Sequence, residues 1–208
     1  AIAKFMSAYG FTMKNWKHFA GACGIIFLPM LCIIGQRETG SALVYLSFFL
    51  MLYREGMPGS FLFTGLAMII YFVVGIKYEE VLLWDTPTSA GKFVVLLLVQ
   101  IFSTAMVWVY VGDKAKTRLL LAYVLGFTAL ALLFSEFVIP FDVVWVQLLL
   151  SAGVIGYLVY NAMNTRFANY FYIALFALGS VAFFYSADYV LNDVMQPHQR
   201  VRINVLLG

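Results

Sequence analysis

The chain has 208 residues, of which 63% are hydrophobic and only 11% charged, with a formal net charge of +3. A soluble domain carries about 25% charged residues, so this composition leaves too little polar surface for water and excludes a soluble globular fold. The basic excess forms no Lys/Arg stripe interleaved with aromatics, which excludes a nucleic-acid surface as well.

A helix that crosses hydrocarbon needs about 20 apolar residues, and the charge-poor runs can be taken in chain order. The first, Ile2 to Met13, contains Lys4 and reads as the end of a span. Six more follow at Phe19 to Gln36, Gly40 to Tyr53, Gly56 to Ile76, Phe93 to Gly112, Leu119 to Ser135 and Val143 to Thr165, and a last one at Phe167 to Ala187. The expectation is an all-α polytopic membrane bundle of about eight transmembrane helices, forming one membrane domain over 1–208. A membrane β-barrel would need segments of about ten residues alternating polar and apolar, and a run such as Leu119 to Ser135 does not alternate. Ala1 follows no basic leader and no initiator Met, so the chain reads as an internal piece of a longer protein.

The span at Phe19 to Gln36 carries Pro29 flanked by Gly21, Gly24 and Gly35, which predicts a kinked helix packed closely by neighbours. Cys23 and Cys32 share that span, where thiols act as small buried hydrophobes rather than as a disulfide pair.

Placing successive loops on alternate sides separates the charges. One side collects Lys14, Lys17, Arg54, Lys114, Lys116, Arg118 and Arg166 against Glu55 and Asp113, a net of 7 − 2 = +5. The other collects Lys4, Arg37, Lys77, Lys92, Arg200 and Arg202 against Glu38, Glu79, Glu80, Asp85, Glu136, Asp142, Asp188 and Asp193, a net of 6 − 8 = −2. Lys and Arg are enriched in cytoplasmic loops, so the first side is expected to be cytoplasmic and the second external.

Three polar features stand out against this background. Gln36-Arg37-Glu38-Thr39-Gly40-Ser41-Ala42 is a tight external turn, with Gly40 and Ser41 opening a close helix contact. Gln196-Pro197-His198-Gln199-Arg200-Val201-Arg202 lies in 188–208, expected to begin a large external loop, and its arginines can clamp phosphate bidentately. Lys4, an ionisable group within a span, is expected to pair or to line a polar cavity. The bland readings are a solvated turn, a snorkelling basic helix flank and an interfacial lysine. Glu79, Glu80 and Asp85 form an acidic loop without the fixed separation that acid–base catalysis needs. His18 has no second ligand at metal-binding spacing, and no phosphate-binding glycine loop or nucleophile elbow is present.

At these clusters the chain resembles the SEDS family of bacterial cell-wall polymerases, whose branches include the rod-shape protein RodA and the cell-division protein FtsW; the rod-shape branch is the nearer. Ala1-Ile2-Ala3-Lys4-Phe5 is similar to the family's S-E-x-A-K segment and Gln36 to Ala42 to its Q-P-D-x-G-T-A turn. Tyr53-Arg54-Glu55-Gly56 follows in order, and Pro197-His198-Gln199-Arg200-Val201-Arg202-Ile203 is similar to the H-Q-R-D-R-I stretch that opens the family's large external loop. Ala1 stands where the family has Glu, Arg37-Glu38 replace Pro-Asp, and Val201 replaces an Asp. Helices from Phe93 to Thr165 carry none of the motifs and read as extra helices.

The resemblance implies a multi-pass protein of the bacterial cytoplasmic membrane that polymerises lipid II for cell elongation and shape, paired with a class B penicillin-binding protein. It implies Lys4, Gln36, Arg37, Glu38, Arg200 and Arg202 as substrate-binding residues, no bound cofactor, and a divalent cation only as companion to the lipid pyrophosphate. The loop Asp proposed as the family's catalytic base lies beyond Gly208, so this piece is expected to be inactive alone. A lipid-linked precursor flippase and a non-catalytic membrane scaffold are the alternative readings; the flippase would need charged residues near mid-span.

Overall fold

A computed structural model describes residues 4, 16–35, 48, 51–54, 56, 59–84 and 86–189. The expected turn at 36–42 and, of the loop expected over 188–208, residues 190–208 lie outside the described residues, while Asp188 and Tyr189 still belong to the last helix. The described chain is all-α, with helices α1 (Trp16–Gly35), α2 (Gly59–Lys77), α3 (Ala90–Met106), α4 (Lys114–Phe137), α5 (Val143–Thr165) and α6 (Ala168–Tyr189). A π-helical turn, Val107–Val111, continues α3.

Five of these segments are long and apolar enough to cross a membrane: Gly59–Lys77, Ala90–Val111, Lys114–Phe137, Val143–Thr165 and Ala168–Tyr189. At 1.5 Å per residue, the 22 to 24 residues of the last four give roughly 33–36 Å, enough for a hydrocarbon core of about 30 Å. Their outer faces are apolar. On α4 alone Leu119, Leu125, Leu130, Leu133 and Phe137 are exposed, an arrangement that water would penalise and lipid would not. This is the architecture of a multi-pass membrane protein.

The chain divides into two units, residues 1–66 and 67–208, with the boundary inside α2. In the first unit α1 runs through Pro29 and buries Ala22 and Ile26, four residues apart and therefore on one face. Helical residues 51–54 include the buried Leu52, and Thr64 Oγ1 donates to Ser60 O at 2.8 Å.

In the second unit α3 is central, touching α4, α5 and α6, and α5 packs along α6. The interior includes Val95, Leu96 and Val99 of α3, Leu120 and Val124 of α4, Leu158 of α5 and Ile173 of α6. It is not wholly apolar. Gln100, Gln147 and Ser151 are buried, and Gln100 Nε2 lies 2.9 Å from both Gln147 Oε1 and Ser151 Oγ. Gln147 Nε2 donates to Thr128 Oγ1 at 2.9 Å, so the chain of amides and hydroxyls joins α3, α4 and α5. In hydrocarbon an unpaired amide would cost several kcal/mol, and the pairing therefore specifies how these three helices meet.

Helix starts follow local chemistry. Asp113 Oδ1 accepts from the Ala115 and Lys116 N–H groups at 3.1 Å each, and Asp142 Oδ1 accepts from Val144 N–H at 3.0 Å, satisfying amide donors that have no helical partner. The π turn stops at Gly112, whose φ of +75° suits a residue without a Cβ.

Candidate functional site at the acidic helix ends

Every described charged residue from 67 to 189 lies at a helix end or in a loop, and none falls within 93–112, 119–135, 143–165 or 167–187. Among the described residues of this unit, one end gathers Lys77 and Lys92 with Glu79, Glu80, Glu136, Asp142 and Asp188, a net of 2 − 5 = −3. The opposite end gathers Lys114, Lys116, Arg118 and Arg166 with Asp113, a net of 4 − 1 = +3. The alternation of loops inferred from charge is thus the alternation that the helices make, and the acidic end is the one expected to face outward.

The acidic end is built from the connection between α2 and α3. Tyr78 to Ser89 fold back on themselves, with an antiparallel bridge between Leu82 and Ser89 and a bond from Leu83 N–H to Thr88 O at 2.9 Å. Ser89 Oγ donates to Glu79 O at 2.8 Å, and Gly91 N–H donates to Tyr78 O at 2.8 Å. Gly91 is required there: a Cβ would lie 2.6 Å from Gly75 O and 2.9 Å from Tyr78 C. Trp84, at the tip, has φ +50° and is exposed, as an aromatic at a membrane boundary is.

This turn is fastened to the other helices. Val143 N–H, at the start of α5, donates to the buried Thr88 Oγ1 at 2.9 Å. Lys92 Nζ meets Asp188 Oδ2 at 3.0 Å, the two side chains being 31% and 18% exposed. That ion pair joins the first turn of α3 to the last turn of α6, the helix that leads into 190–208. Ser135 Oγ donates to Phe141 O at 2.9 Å and closes the α4–α5 connection at the same end. Chemically the arrangement offers a polar face on which Asp188 is paired with Lys92 and Asp142 caps α5. Among the described residues no group of three His, Cys, Asp or Glu side chains could hold a metal ion.

Of the expected substrate-binding residues, Lys4 is described and is helical and exposed. Gln36, Arg37, Glu38, Arg200 and Arg202, with Gly40 and Ser41, lie outside the described residues. Sequence reasoning had put Lys92 and Asp188 on one side of the membrane without pairing them. Gln100 and Gln147 are further polar residues of the interior, and their place inside apolar runs is the signal that the sequence carries for them. Compared with known proteins, the chain matches no family model, no curated protein and no solved structure.

Proposed function

We propose that the chain is part of a lipid II-polymerising glycosyltransferase of the SEDS type, from the rod-shape (RodA) branch, working with a class B penicillin-binding protein at the outer face of the bacterial cytoplasmic membrane. What carries the reading is the order of four motif-like segments, at Ala1 to Phe5, Gln36 to Ala42, Tyr53 to Gly56 and Pro197 to Ile203. It is supported by the absence of charged residues in the middle of the spans at 93–112, 119–135, 143–165 and 167–187. A carrier of a charged headgroup would place polar charge along a path near the midplane. A polymerase of a lipid-linked sugar needs it at the boundary, where the pyrophosphate sits.

In this reading an acceptor sugar hydroxyl attacks the anomeric carbon of the donor, its proton would pass to the loop Asp that the resemblance implies as base, and the undecaprenyl pyrophosphate leaves with the bonding electrons. Arg37, Arg200 and Arg202 neutralise the charge that grows on the departing phosphate, an interaction stronger in the transition state than in the ground state. Lys4, Gln36 and Glu38 orient the glycan. A divalent cation accompanies the pyrophosphate as part of the substrate.

The test is polymerisation of labelled lipid II by the full-length parent protein together with its penicillin-binding partner. Removing a donor that stabilises a developing anion costs roughly 10²–10³ in turnover, so Arg200→Ala should reduce glycan strands by about that factor. A wild-type complex that makes no strands under any condition would return the chain to a scaffolding role.

A further inference from the structure

The basic end of the second unit holds two neighbouring hollows that share Phe167. In the smaller, about 260 Å³, the cation is already engaged: Lys116 Nζ lies 3.2 Å from Tyr170 Oη and 3.5 Å from Asp113 Oδ2. The larger, about 490 Å³, runs along the junction of α5 and α6 and is lined by Val159, Ala162, Met163, Phe171 and Tyr172, with Arg166 as its charged residue. Among the described residues the Arg166 side chain makes no hydrogen bond or ion pair, and it is exposed. Its backbone is held at φ +53°, a conformation that non-glycine residues seldom adopt. An apolar slot within the span, ending at an unengaged guanidinium on the membrane's basic side, has the polarity of a phospholipid in profile.

We infer that this slot is a binding site for one anionic phospholipid of the leaflet at the basic end, its acyl chain between α5 and α6 and its phosphate on Arg166. Three observations support it. The hollow is within the size range of small-ligand sites. Its wall is apolar, made by the last turns of α5 and the first turns of α6, and includes the aromatics Phe171 and Tyr172, of a kind that collects at membrane boundaries. The net +3 of that end attracts anionic headgroups, and Arg166 meets phosphate bidentately in a way that a lysine would not. This site lies at the end opposite the proposed polymerising face and does not depend on that reading.

Native mass spectrometry of the full-length protein, titrated in detergent with dioleoyl-phosphatidylglycerol or dioleoyl-phosphatidylcholine, tests it. One lipid should be retained with a preference for phosphatidylglycerol of about fivefold, the scale of one surface cation. Arg166→Gln should abolish the preference, and Arg166→Gly should do the same while suiting the positive φ, which covers a misfolded glutamine variant. Arg118→Gln removes an exposed cation of the same end that does not line the slot, and it should keep the preference. Ala162→Phe should reduce adducts of both lipids by filling the slot. Equal retention of the two lipids by the wild type, an equal loss from Arg118→Gln, or unchanged adducts in Ala162→Phe would each overturn the site.

Discussion

The two ends of the α3–α6 bundle are made differently. At the acidic end, loops and helix termini are tied across the bundle by the Lys92–Asp188 pair, the Thr88–Val143 bond and the folded connection under Gly91. The basic end has cross-bundle ties as well, from Lys116 Nζ to Tyr170 Oη at 3.2 Å and from Asn169 Nδ2 to Tyr110 O at 2.9 Å, but its connections, 112–113 and 166–167, are two residues each, and Lys114, Arg118 and Arg166 are exposed. The difference teaches where geometry is being held. A folded connection bonded to the start of α5 covers the end at which α6 finishes, while the other end, with its short connections, keeps exposed cations accessible to headgroups. In the proposed polymerase the covered end is the one that must present charge at a fixed place.

The sharpest way to break this contrast is at Gly91. An added methyl would meet Gly75 O and the backbone of Tyr78 and Glu79, and backbone atoms cannot rotate aside as a side chain could. Overpacking costs typically 1–3 kcal/mol, and Gly91→Ala is expected near the upper limit, about 3 kcal/mol. Unfolding in mixed detergent micelles, followed by circular dichroism, would show it. A variant as stable as wild type would mean that the α2–α3 connection is not held against α3 as described.

Next in size is the ion pair. Removing one member of a buried pair costs about 3–5 kcal/mol because the other is left alone in low dielectric, whereas exposed pairs contribute about 0–1 kcal/mol. Lys92 and Asp188 are 31% and 18% exposed, so Asp188→Asn should lie between, at about 1–2 kcal/mol. If the pair positions the chain that follows α6 in the proposed polymerase, Asp188→Asn in that proposed enzyme should also lower polymerisation, and Lys92→Met combined with Asp188→Leu should restore stability without restoring activity. Recovery of both together would reduce the pair to simple packing.

Much of this fold was legible from hydropathy, and the deviations have physical causes. Val143 to Thr165 was expected as a span and α5 has those bounds. α4 begins at Lys114, five residues before the expected Leu119, because the Asp113 cap starts the helix while Lys114, Lys116 and Arg118 are still in its polar first turns. An apolarity count cannot see a helix through its charged end. α3 begins at Ala90 rather than Phe93, since the bonds from Ala90 and Gly91 to Val81 and Tyr78 fix its first turn against the preceding connection. The charge alternation was also readable, because each loop contributes its sign independently of packing. The pairing of Lys92 with Asp188, and of Gln100 with Gln147, was not: both join residues far apart in the chain, and a side-chain partner is set by how helices rotate about their axes. The proposed binding residues were legible only through resemblance; apart from Lys4 they lie outside the described residues.

The smallest expected effect sharpens the contrast from the basic side. The Asp113 carboxylate accepts the Lys116 N–H and, with the positive Lys116 side chain and the Ala115 N–H, this holds its pKa below the usual carboxylate value. A group whose pKa is lowered on folding contributes stability that is fully present above its unfolded value and is lost as pH falls through the folded one. The unfolded value is about 3.9, so the contribution should be constant from neutral pH down to roughly pH 5 and fade below about pH 4. Asn caps helices nearly as well as Asp, and Asp113→Asn therefore removes the charge while keeping an acceptor. Melting midpoints of wild type and Asp113→Asn should differ slightly at pH 7, and the gap should close as pH falls from about pH 4 through the folded value. A gap that stays unchanged across that range would mean that the cap acts through geometry alone, and that the basic end holds its first helical turn without help from charge.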